Sequence, residues 1–509
     1  MGKDLNYKIY TPEIYSVNMV KDSLERYLKN FNDKKLENLR VIDISCGSGN
    51  LLLPMLEELI KTSKKLYGEY RFNKNWITGY DIDGNALEIF KKRAEIIFSK
   101  YGILGELNLK KCNSLYEKIE KKYHIVLGNP PYLGEKHHKE IFHEIKETDF
   151  GKKYYEPKMD YFYFFIEKGI DILEDKGILN YLTTNYWLKA DSAGNLRKKL
   201  KEEGSFGKLE NYTYSIFKSA VGQHNVIFCW EKKVEIEDIE ILEDDFKYFM
   251  KKSDIYLGES DKIALLPPVC RNNIKNIQEN SNTTLGELVN VNQGIVSGAD
   301  KVFVFDEFKD EFKEYLRPFY KNKDIGKYNV SKIPPFWILY LDKHIVLDEN
   351  ILNYLESYKE KLSKRREVAQ NRINWWELQW SRDEEIFKKE KIVVRQRCKT
   401  NNFAYVDKEF YGSADIYYLT KKREETSLFY ILGYLNSREF FEWFNYIGKK
   451  KGKNLEFYST PLKECPVYYS EDLKEVEYIE KLVKMQINEY SEKTQKEIDE
   501  YFKEKLNIK

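Results

Sequence analysis

Four consecutive residues, Asn129-Pro130-Pro131-Tyr132, combine groups that could bind a planar amino group. They follow an apolar run at residues 124–127 that is typical of a buried β-strand. The Asn129 side chain and the Pro130 backbone each offer a carbonyl acceptor, and the prolines, which lack N–H groups, restrict the backbone that carries them. Tyr132 adds a flat aromatic ring. Two acceptors beside a ring suit the –NH2 group of adenine or of a glutamine amide, although a simple proline turn capped by Asn129 would have the same sequence.

A glycine-rich turn lies earlier in the chain, at residues 40–50, which read Arg-Val-Ile-Asp-Ile-Ser-Cys-Gly-Ser-Gly-Asn. The apolar residues through Asp43 predict a strand, and Gly47 and Gly49 permit a tight turn that a ligand can approach closely before a helix begins. The spacing lacks the third glycine of a dinucleotide site and the Gly-Lys-Ser/Thr of a phosphate-binding loop. The turn therefore indicates a nucleoside site, with Asp43 and Ser45 beside it.

Two further strand ends carry polar residues. Residues 76–80 predict a strand that ends at Asp81-Ile82-Asp83, where a carboxylate could accept hydrogen bonds from ribose hydroxyl groups. The same two carboxylates could instead bind Mg²⁺, or lie in a solvated turn. A third strand ends within residues 110–115, where Asn113 and Ser114 could meet an adenine ring. In this order, the glycine turn, the acid and the Asn-Pro-Pro-Tyr segment favour S-adenosylmethionine over NAD.

A mostly parallel sheet would bring these residues together, and the first 235 residues show the matching alternation of strands and helices. Strands are predicted at residues 39–44, 76–80, 124–127, 177–183 and 226–230. Helices are predicted at residues 13–28, 51–66, 86–99 and 161–173. Because residues 233–262 are acidic and rich in turns, we predict a domain boundary or a connecting insertion there, and we divide the chain into a catalytic domain at 1–240 and a second domain at 241–509. The short aromatic segments of the second domain suit an irregular α+β fold, and its tail, residues 475–509, predicts one charged amphipathic helix.

The composition narrows the class of protein. The chain of 509 residues is 42% hydrophobic and long enough for two or more domains. A net charge of only +2 gives no overall basic field, so nucleic-acid binding would need a local patch. Six scattered cysteines without a Cys-x-x-Cys pair argue against disulfides and structural zinc. No signal peptide and no apolar run of membrane-spanning length are present, so we expect a cytoplasmic protein that binds neither membrane nor metal.

Basic residues are concentrated locally in the second domain. Residues 361–400 hold twelve lysines and arginines against six acidic residues, interleaved with Trp375, Trp376 and Trp380, and residues 449–453 read Lys-Lys-Lys-Gly-Lys. We expect the basic runs to neutralise nucleic-acid phosphates and the tryptophans to lie in the domain core. The residues expected to bind nucleic acid are Lys364, Arg365, Arg366, Arg372, Arg395, Arg397, Lys399, Lys449, Lys450 and Lys451.

The motifs in this order resemble those of the amino-methyltransferases that act on adenine N6 in DNA, the Taq-like and Eco57I-like group. Tyr10-Thr11-Pro12 adds to the resemblance, because Thr11 is a good N-cap and Pro12 a good first helical residue, and in that family this segment closes over the cofactor. Three stretches are similar to the Taq-type target-recognition region: Asn-Gln-Gly-Ile-Val-Ser-Gly at 292–298, Trp-Trp-Glu-Leu-Gln-Trp at 375–380 and Gly-Ser-Ala-Asp at 412–415. Over nearly its whole length the chain most resembles the CamA-like orphan adenine methyltransferases.

The resemblance implies a Rossmann-like, seven-stranded domain that binds S-adenosylmethionine, followed by a target-recognition domain. It also implies a monomer that acts on double-stranded DNA, associates with the nucleoid when bound, and has no attached nuclease, since only about ten residues precede the Tyr-Thr-Pro motif. Asn113 departs from the family, which usually has aspartate at this position. The residues implied for cofactor binding are Tyr10, Thr11, Pro12, Asp43, Ser45, Gly47, Gly49, Asp81, Ile82, Asn113, Ser114 and Asn129.

By the same resemblance, the target adenine is flipped out of the duplex into the Asn-Pro-Pro-Tyr pocket. Asn129 and the Pro130 carbonyl would accept hydrogen bonds from its amino group, and Tyr132 would stack on one face. Phe217 could stack on the other face or be a core aromatic. His224 could act as a base, although a structural histidine is the favoured interpretation. Protein-glutamine methylation, RNA adenine methylation and DNA binding without catalysis are the alternatives.

Overall fold

The computed structural model describes residues 11–31, 36–217, 222–258, 260–451 and 454–508. The fold divides into two compact units, the first of which ends at Leu266 and the second of which begins at Pro267. The boundary predicted after residue 240 lies too early. The acidic segment that suggested it forms two strands of the first unit's sheet, at 238–243 and 246–251.

The first unit is built around one large sheet. Its strands are β1 (Val41–Asp43), β2 (Ile77–Asp81), β3 (Asn108–Lys111), β4 (Tyr123–Gly128), β5 (Leu173–Thr184), β6 (Gly204–Tyr212), β7 (Asn225–Lys232), β8 (Asp238–Glu243), β9 (Phe246–Lys251), and the short pair β10 (Tyr256–Leu257) and β11 (Lys262–Ile263). Its helices are α1 (Glu13–Asn30), α2 (Leu52–Tyr67), α3 (Gly84–Tyr101), α4 (Lys139–Lys146), α5 (Asp149–Tyr154), α6 (Phe162–Ile172), α7 (Gly194–Glu203) and α8 (Lys252–Ile255).

The order of the large sheet is β3-β2-β1-β4-β5-β7-β6-β8-β9. The strands from β3 to β5 are parallel, and β7 is antiparallel to both of its neighbours, β5 and β6. The order and directions confirm the predicted α/β, Rossmann-like class. The sheet has nine strands and not the expected seven, because β8 and β9 continue it beyond β6.

Burial explains why the central strands form. Every residue of β1 and of β4 is buried, as expected for parallel strands that are covered by helices on both faces. Because parallel strands end at the same edge of a sheet, Asp43, Asp81 and Asn129 lie along one edge. The predicted strands and helices of this unit are confirmed, with ends that differ by a few residues.

The second unit contains only short strands among helices, which confirms the α+β prediction. Its strands are β12 (Thr283–Thr284), β13 (Val289–Gln293), β14 (Val304–Phe305), β15 (Leu316–Tyr320), β16 (Phe336–Leu339), β17 (Lys391–Arg395), β18 (Arg397–Cys398), β19 (Phe403–Val406), β20 (Tyr411–Gly412), β21 (Ile416–Lys421), β22 (Lys450–Lys451), β23 (Asn454–Glu456) and β24 (Pro466–Val467). They form the sheets β13-β21-β17-β19, β14-β16-β15-β20, β18-β23-β22 and β12-β24.

The helices of this unit are α9 (Pro268–Asn280), α10 (Leu285–Leu288), α11 (Asp300–Phe303), α12 (Glu349–Glu356), α13 (Lys359–Ser363), α14 (Arg366–Ala369), α15 (Glu385–Lys388), α16 (Leu428–Leu435), α17 (Arg438–Tyr446), α18 (Ser459–Lys463), α19 (Leu473–Asn488) and α20 (Glu492–Lys505). The single C-terminal helix predicted at 475–509 is wrong, because α19 and α20 are separate. The Gln486 side chain exchanges two hydrogen bonds with the Ser491 backbone, of 2.7 and 2.9 Å, at the break. In the described part of the chain, no helix is both long enough and apolar enough to cross a membrane.

Candidate active site

The glycine turn after β1 is held against the end of β2. The Gly47 N–H donates to Asp81 Oδ2 over 2.7 Å. Gly47 and Gly49 have φ values of +51° and +85°, in the left-handed region that favours glycine. A Cβ on Gly49 would lie 2.4 Å from the Phe90 ring of α3, whereas a Cβ on Gly47 would have no atom of the described residues within 4 Å. Gly49 therefore serves packing, and Gly47 leaves open space that a ligand could occupy.

Asp43, the last residue of β1, is a buried carboxyl group beside this turn. Its Oδ1 accepts the Ser45 N–H over 2.8 Å. Burial raises the pKa of Asp43 to about 7, and the nearby Asp81 carboxylate acts in the same direction, against the hydrogen bond from Ser45. A bound cation would favour the charged form of Asp43.

The end of β2 carries the predicted acid, Asp81. Its two oxygens accept the N–H groups of Gly47 and Asp83, over 2.7 and 2.8 Å. Asp83 is the N-cap of α3 and accepts backbone N–H groups of the first turn of that helix. The two carboxylates therefore stabilise the turn and the helix start, and no group of three or more His, Cys, Asp or Glu in the described ranges could hold a metal ion. Beside them, Ile82 is 65% exposed and offers an apolar surface to a planar ring.

The third strand end differs in part from the prediction. Asn113 is half-buried, and its Oδ1 accepts the Leu115 N–H over 3.2 Å. Ser114 is buried, and its hydroxyl donates to the Ile44 carbonyl over 2.6 Å. Ser114 therefore joins the end of β3 to the residue that follows β1, and its expected contact with the cofactor stays a prediction. Of the predicted Tyr-Thr-Pro segment, Tyr10 lies outside the described residues.

The start of α1 also departs from the prediction. Pro12 is the N-cap of the helix, with no side-chain cap bond, and α1 begins at Glu13. Thr11 is therefore not the cap. Its hydroxyl oxygen instead accepts a hydrogen bond from Asn129 Nδ2 over 3.1 Å, which brings this segment to the Asn-Pro-Pro-Tyr motif.

The Asn-Pro-Pro-Tyr segment follows directly after β4. The Tyr132 hydroxyl lies 2.7 Å from Asn129 Oδ1 and 3.1 Å from the Leu182 carbonyl of β5, and can donate to either. Burial raises the pKa of Tyr132 well above its ordinary value, so the hydroxyl keeps its proton at neutral pH. Pro130 is buried, and its carbonyl accepts no hydrogen bond from any described residue. Both predicted acceptors, Asn129 Oδ1 and the Pro130 carbonyl, are therefore present at one strand end.

The aromatic residues around this segment are arranged differently from the sequence expectation. The Tyr132 ring is half-buried and meets the edge of Phe162 at a centroid distance of 5.8 Å. Phe217 is only 4% exposed and belongs to the apolar core of the first unit, which favours the core-aromatic alternative over a stacking surface. His224 is half-buried, and its predicted structural role stays a prediction.

Sequence reasoning missed two residues beside the motif. Asp160, which is buried, accepts the Leu133 N–H over 2.8 Å and the Tyr186 hydroxyl over 2.7 Å. Tyr186 follows β5 at the same edge of the sheet, and its ring is 44% exposed beside Phe162. The position of Tyr186 just after a strand end was a usable signal, whereas nothing local marks Asp160.

In the second unit, the three stretches that resemble a target-recognition region lie together. Ile295 bonds through its N–H to the Gly412 carbonyl over 2.8 Å, and Val296 exchanges two backbone hydrogen bonds with Trp380. The Arg382 guanidinium donates to the Gly294 carbonyl over 3.1 Å. Residues that are far apart in the sequence thus pack together within the second unit, and Gly294 has no room there for a side chain.

The tryptophans divide between core and surface. Trp375 and Trp376 are partly buried against the core of the second unit, as predicted. Trp380 is exposed, so the core prediction is wrong for this residue.

The basic residues predicted to bind nucleic acid also divide into two groups. Arg365 donates to the Trp375, Ser297 and Leu362 carbonyls, and Arg395 donates to the Ile325 carbonyl. The N–H donors of these two half-buried guanidinium groups are therefore engaged within the fold, although the groups keep their positive charge. The exposed residues are Lys364, Arg366, Arg372, Arg397, Lys399, Lys449, Lys450 and Lys451.

Two of the basic segments meet on the small sheet β18-β23-β22. Arg397 on β18 pairs with Glu456 on β23 and forms a 2.8 Å ion pair with it. Lys450 and Lys451 form β22 on the other side of β23, and Lys449 precedes them. The sheet therefore presents several exposed cations whose sequence positions are far apart.

Comparisons with known proteins agree with this architecture. Residues 16–217 match the family model of the Eco57I restriction-modification methylase, and residues 317–467 match that of the TaqI-like C-terminal specificity domain. The Type II methyltransferases M.HindII and M.HincII of Haemophilus influenzae are each 28% identical to the chain, with 85% of either chain covered. A solved structure of the Type IIL restriction-modification enzyme MmeI has the same fold, with a TM-score of 0.72 at 14% identity over 100% of this chain and 78% of that one.

The methyltransferase fold and the matched methylase domain indicate S-adenosyl-L-methionine as the cofactor, and the residues at the strand edge fit it. The open space at Gly47, the exposed Ile82 and the carboxylate of Asp81 suit a nucleoside, and the buried Asp43 suits a nearby positive charge. The chain therefore contains an Eco57I-like methylase domain at residues 16–217 and a TaqI-like C-terminal specificity domain at residues 317–467, and it is homologous to Type II methyltransferases.

Proposed function

We propose that this chain is a DNA adenine-N6 methyltransferase, which transfers a methyl group from S-adenosylmethionine to a flipped-out adenine in duplex DNA. One observation carries the proposal: the Asn129 side-chain carbonyl and the Pro130 carbonyl lie together at the end of β4. The same edge of the sheet carries the glycine turn and Asp81. A methyl donor bound at that turn would lie beside a site made for an amino group.

The two acceptors explain how the protein would promote the reaction. Adenine N6 is a weak nucleophile because its lone pair is delocalised into the ring, and the cofactor supplies an activated methyl group when it is bound. Asn129 Oδ1 and the Pro130 carbonyl would each accept one amino hydrogen. These hydrogen bonds strengthen as N6 becomes positive in the transition state, which is the differential stabilisation that catalysis requires.

Access to these acceptors requires the base to leave the helix, because an amino group inside a duplex is paired and stacked. Tyr132 would line the pocket with its ring. Tyr186, whose exposed ring is held by the hydrogen bond to Asp160, is a better second wall than the buried Phe217. The proposal thus replaces one of the two expected stacking residues.

DNA as the substrate is supported by the second unit. A specificity domain of the TaqI-like family follows the methylase domain, and the MmeI structure of the same fold is a complex with DNA. The exposed cations Arg397, Lys399 and Lys449 to Lys451 on and beside the small sheet would neutralise phosphates. We further propose a cytoplasmic monomer that associates with the nucleoid through this surface and modifies without cutting.

Labelled S-adenosylmethionine tests the proposal directly. Duplex DNA, RNA and a glutamine-containing release-factor-type protein are offered in parallel, and the methylated product is hydrolysed and identified. We expect N6-methyladenine from DNA alone in the wild type, and no product from Asn129→Ala. Methylated glutamine or methylated RNA as the main product would overturn the proposal in favour of one of the alternatives, and binding without transfer would indicate a silent DNA-binding protein.

Base flipping and the absence of cleavage have separate tests. DNA with 2-aminopurine at the target position should gain fluorescence on binding, because an unstacked base is no longer quenched. Unmodified DNA incubated with the protein and Mg²⁺ should stay intact. Unchanged fluorescence with full methylation would contradict the flipping step, and cut DNA would contradict modification without cleavage.

A further inference from the structure

The side-chain amide of Asn129 is held at both ends. Asn129 Nδ2 donates to the Thr11 hydroxyl oxygen over 3.1 Å, across 118 positions of sequence. On the other side, Asn129 Oδ1 lies 2.7 Å from the Tyr132 hydroxyl. Thr11 is only 6% exposed, so water competes little for its hydroxyl. These two contacts join the amide to the segment before α1 and to Tyr132 of its own motif.

The direction of this amide matters for the proposed reaction. An asparagine side-chain amide rotated by 180° would place its –NH2 group where the carbonyl oxygen should be. Two hydrogen-bond donors, this –NH2 group and the amino group of the base, would then face each other. A hydroxyl group can donate as well as accept, so neither the Tyr132 nor the Thr11 hydroxyl by itself determines which end of the amide faces the substrate. Together they restrain the side chain, because rotating the amide out of this position would break both hydrogen bonds.

We propose that Thr11 is a positioning residue that restrains the Asn129 side chain at the site of the substrate amino group. The inference rests on the proposed function for its catalytic consequence, while the hydrogen bond itself does not depend on the identity of the substrate. Thr11 precedes α1 in the segment expected to close over the cofactor. The hydrogen bond therefore connects that segment with the acceptor of the substrate site.

Two substitutions separate the hydroxyl from the shape of the side chain. Thr11→Val keeps the branched shape and removes the acceptor, whereas Thr11→Ser keeps a hydroxyl. At saturating S-adenosylmethionine and DNA, we expect Thr11→Val to lower the single-turnover rate about fivefold to tenfold, the effect of removing one neutral hydrogen bond. Thr11→Ser should restore the rate to within about twofold of the wild type.

Ser16→Ala is the matched control. Ser16 is a buried residue of α1 whose hydroxyl donates to the Glu13 carbonyl of the same helix. Its replacement should lower the melting temperature slightly without changing the single-turnover rate. If Thr11→Val keeps the wild-type rate, or if Thr11→Ser is as slow as Thr11→Val, the positioning role is refuted.

The hydrogen bond has a readout that needs no activity. The Asn129 side-chain amide signals can be assigned in a nitrogen–proton spectrum by their disappearance in Asn129→Ala. Thr11→Val should shift these signals, and Thr11→Ser should shift them much less. Unshifted signals in Thr11→Val would refute the hydrogen bond, whereas shifted signals in a protein that methylates no DNA would refute the proposed function and leave the hydrogen bond standing.

Discussion

Replacing Gly47 by alanine should weaken cofactor binding far more than it weakens the fold. Gly47 has a φ of +51°, so an alanine there carries the left-handed penalty of about 1–2 kcal/mol. The new Cβ would lie more than 4 Å from every atom in the described part of the chain, so no clash there adds to that penalty. The melting temperature should therefore fall by only about 2–4 °C for each kcal/mol. The Cβ would, however, point into the space assigned to S-adenosylmethionine, and we expect its Kd to rise at least about tenfold.

Two other glycines serve as matched controls for Gly47→Ala. Gly68, at the other end of α2, has a φ of +81° and equally open space, so Gly68→Ala should lower the melting temperature by a similar amount and leave the Kd unchanged. Gly49→Ala places its Cβ 2.4 Å from Phe90 and should destabilise the fold most. Calorimetry with S-adenosylmethionine and thermal melts measure the two effects separately. A Kd for Gly47→Ala equal to that of Gly68→Ala would refute the location of the cofactor at this turn.

Three further predictions concern charge. The double substitution Lys450→Gln and Lys451→Gln should weaken the salt dependence of DNA binding, measured by fluorescence anisotropy. The slope of log K against log salt concentration should become shallower by about 0.9 for each phosphate that is no longer neutralised. An unchanged slope would exclude the small sheet from DNA binding. Burial raises the pKa of Glu439 to about 8, so the folded state retains a proton that the unfolded chain releases, and stability should fall as pH rises from about 4.5 to about 8. Glu439→Gln should therefore raise the melting temperature at pH 8 and not at pH 5, and an equal gain at both values would contradict this. Since burial raises the pKa of Asp43 to about 7, binding of the cationic cofactor should tighten as pH rises from 6 to 8, and calorimetry should show this change to be smaller in Asp43→Asn.

The sequence predicted the central part of the sheet because strong apolar runs there are bounded by turn residues. It did not predict β6, which contains Gly204 and Gly207, residues that weaken a strand pattern. At Gly207 a Cβ would overlap the Arg26 guanidinium, so this glycine is needed for packing that local sequence does not reveal. The extension of the sheet by β8 and β9 was likewise hidden, since their charged residues resemble those of a linker.

The residues of the candidate site likewise include some that the sequence revealed and some that it did not. Asn129, Asp81 and the glycine turn were recognisable because each follows a strand and carries its own chemical signature. The hydrogen bond between Thr11 and Asn129 was not, because it joins residues 118 positions apart. Counting charged residues along the sequence did not distinguish Arg395, whose guanidinium donates to a backbone carbonyl, from the exposed lysines. Each of these residues adds one positive charge to the count, whether or not its side chain is engaged within the fold.

Sequencing that detects modified bases through polymerase kinetics tests the central claim most directly. DNA is taken from cells that express the wild-type chain and from cells that express Asn129→Ala. The account predicts one sequence motif with N6-methylated adenine in the first sample and none in the second. Genomic DNA without any modified motif, or the same motif in both samples, would contradict the assignment of Asn129 and its neighbours to adenine methylation.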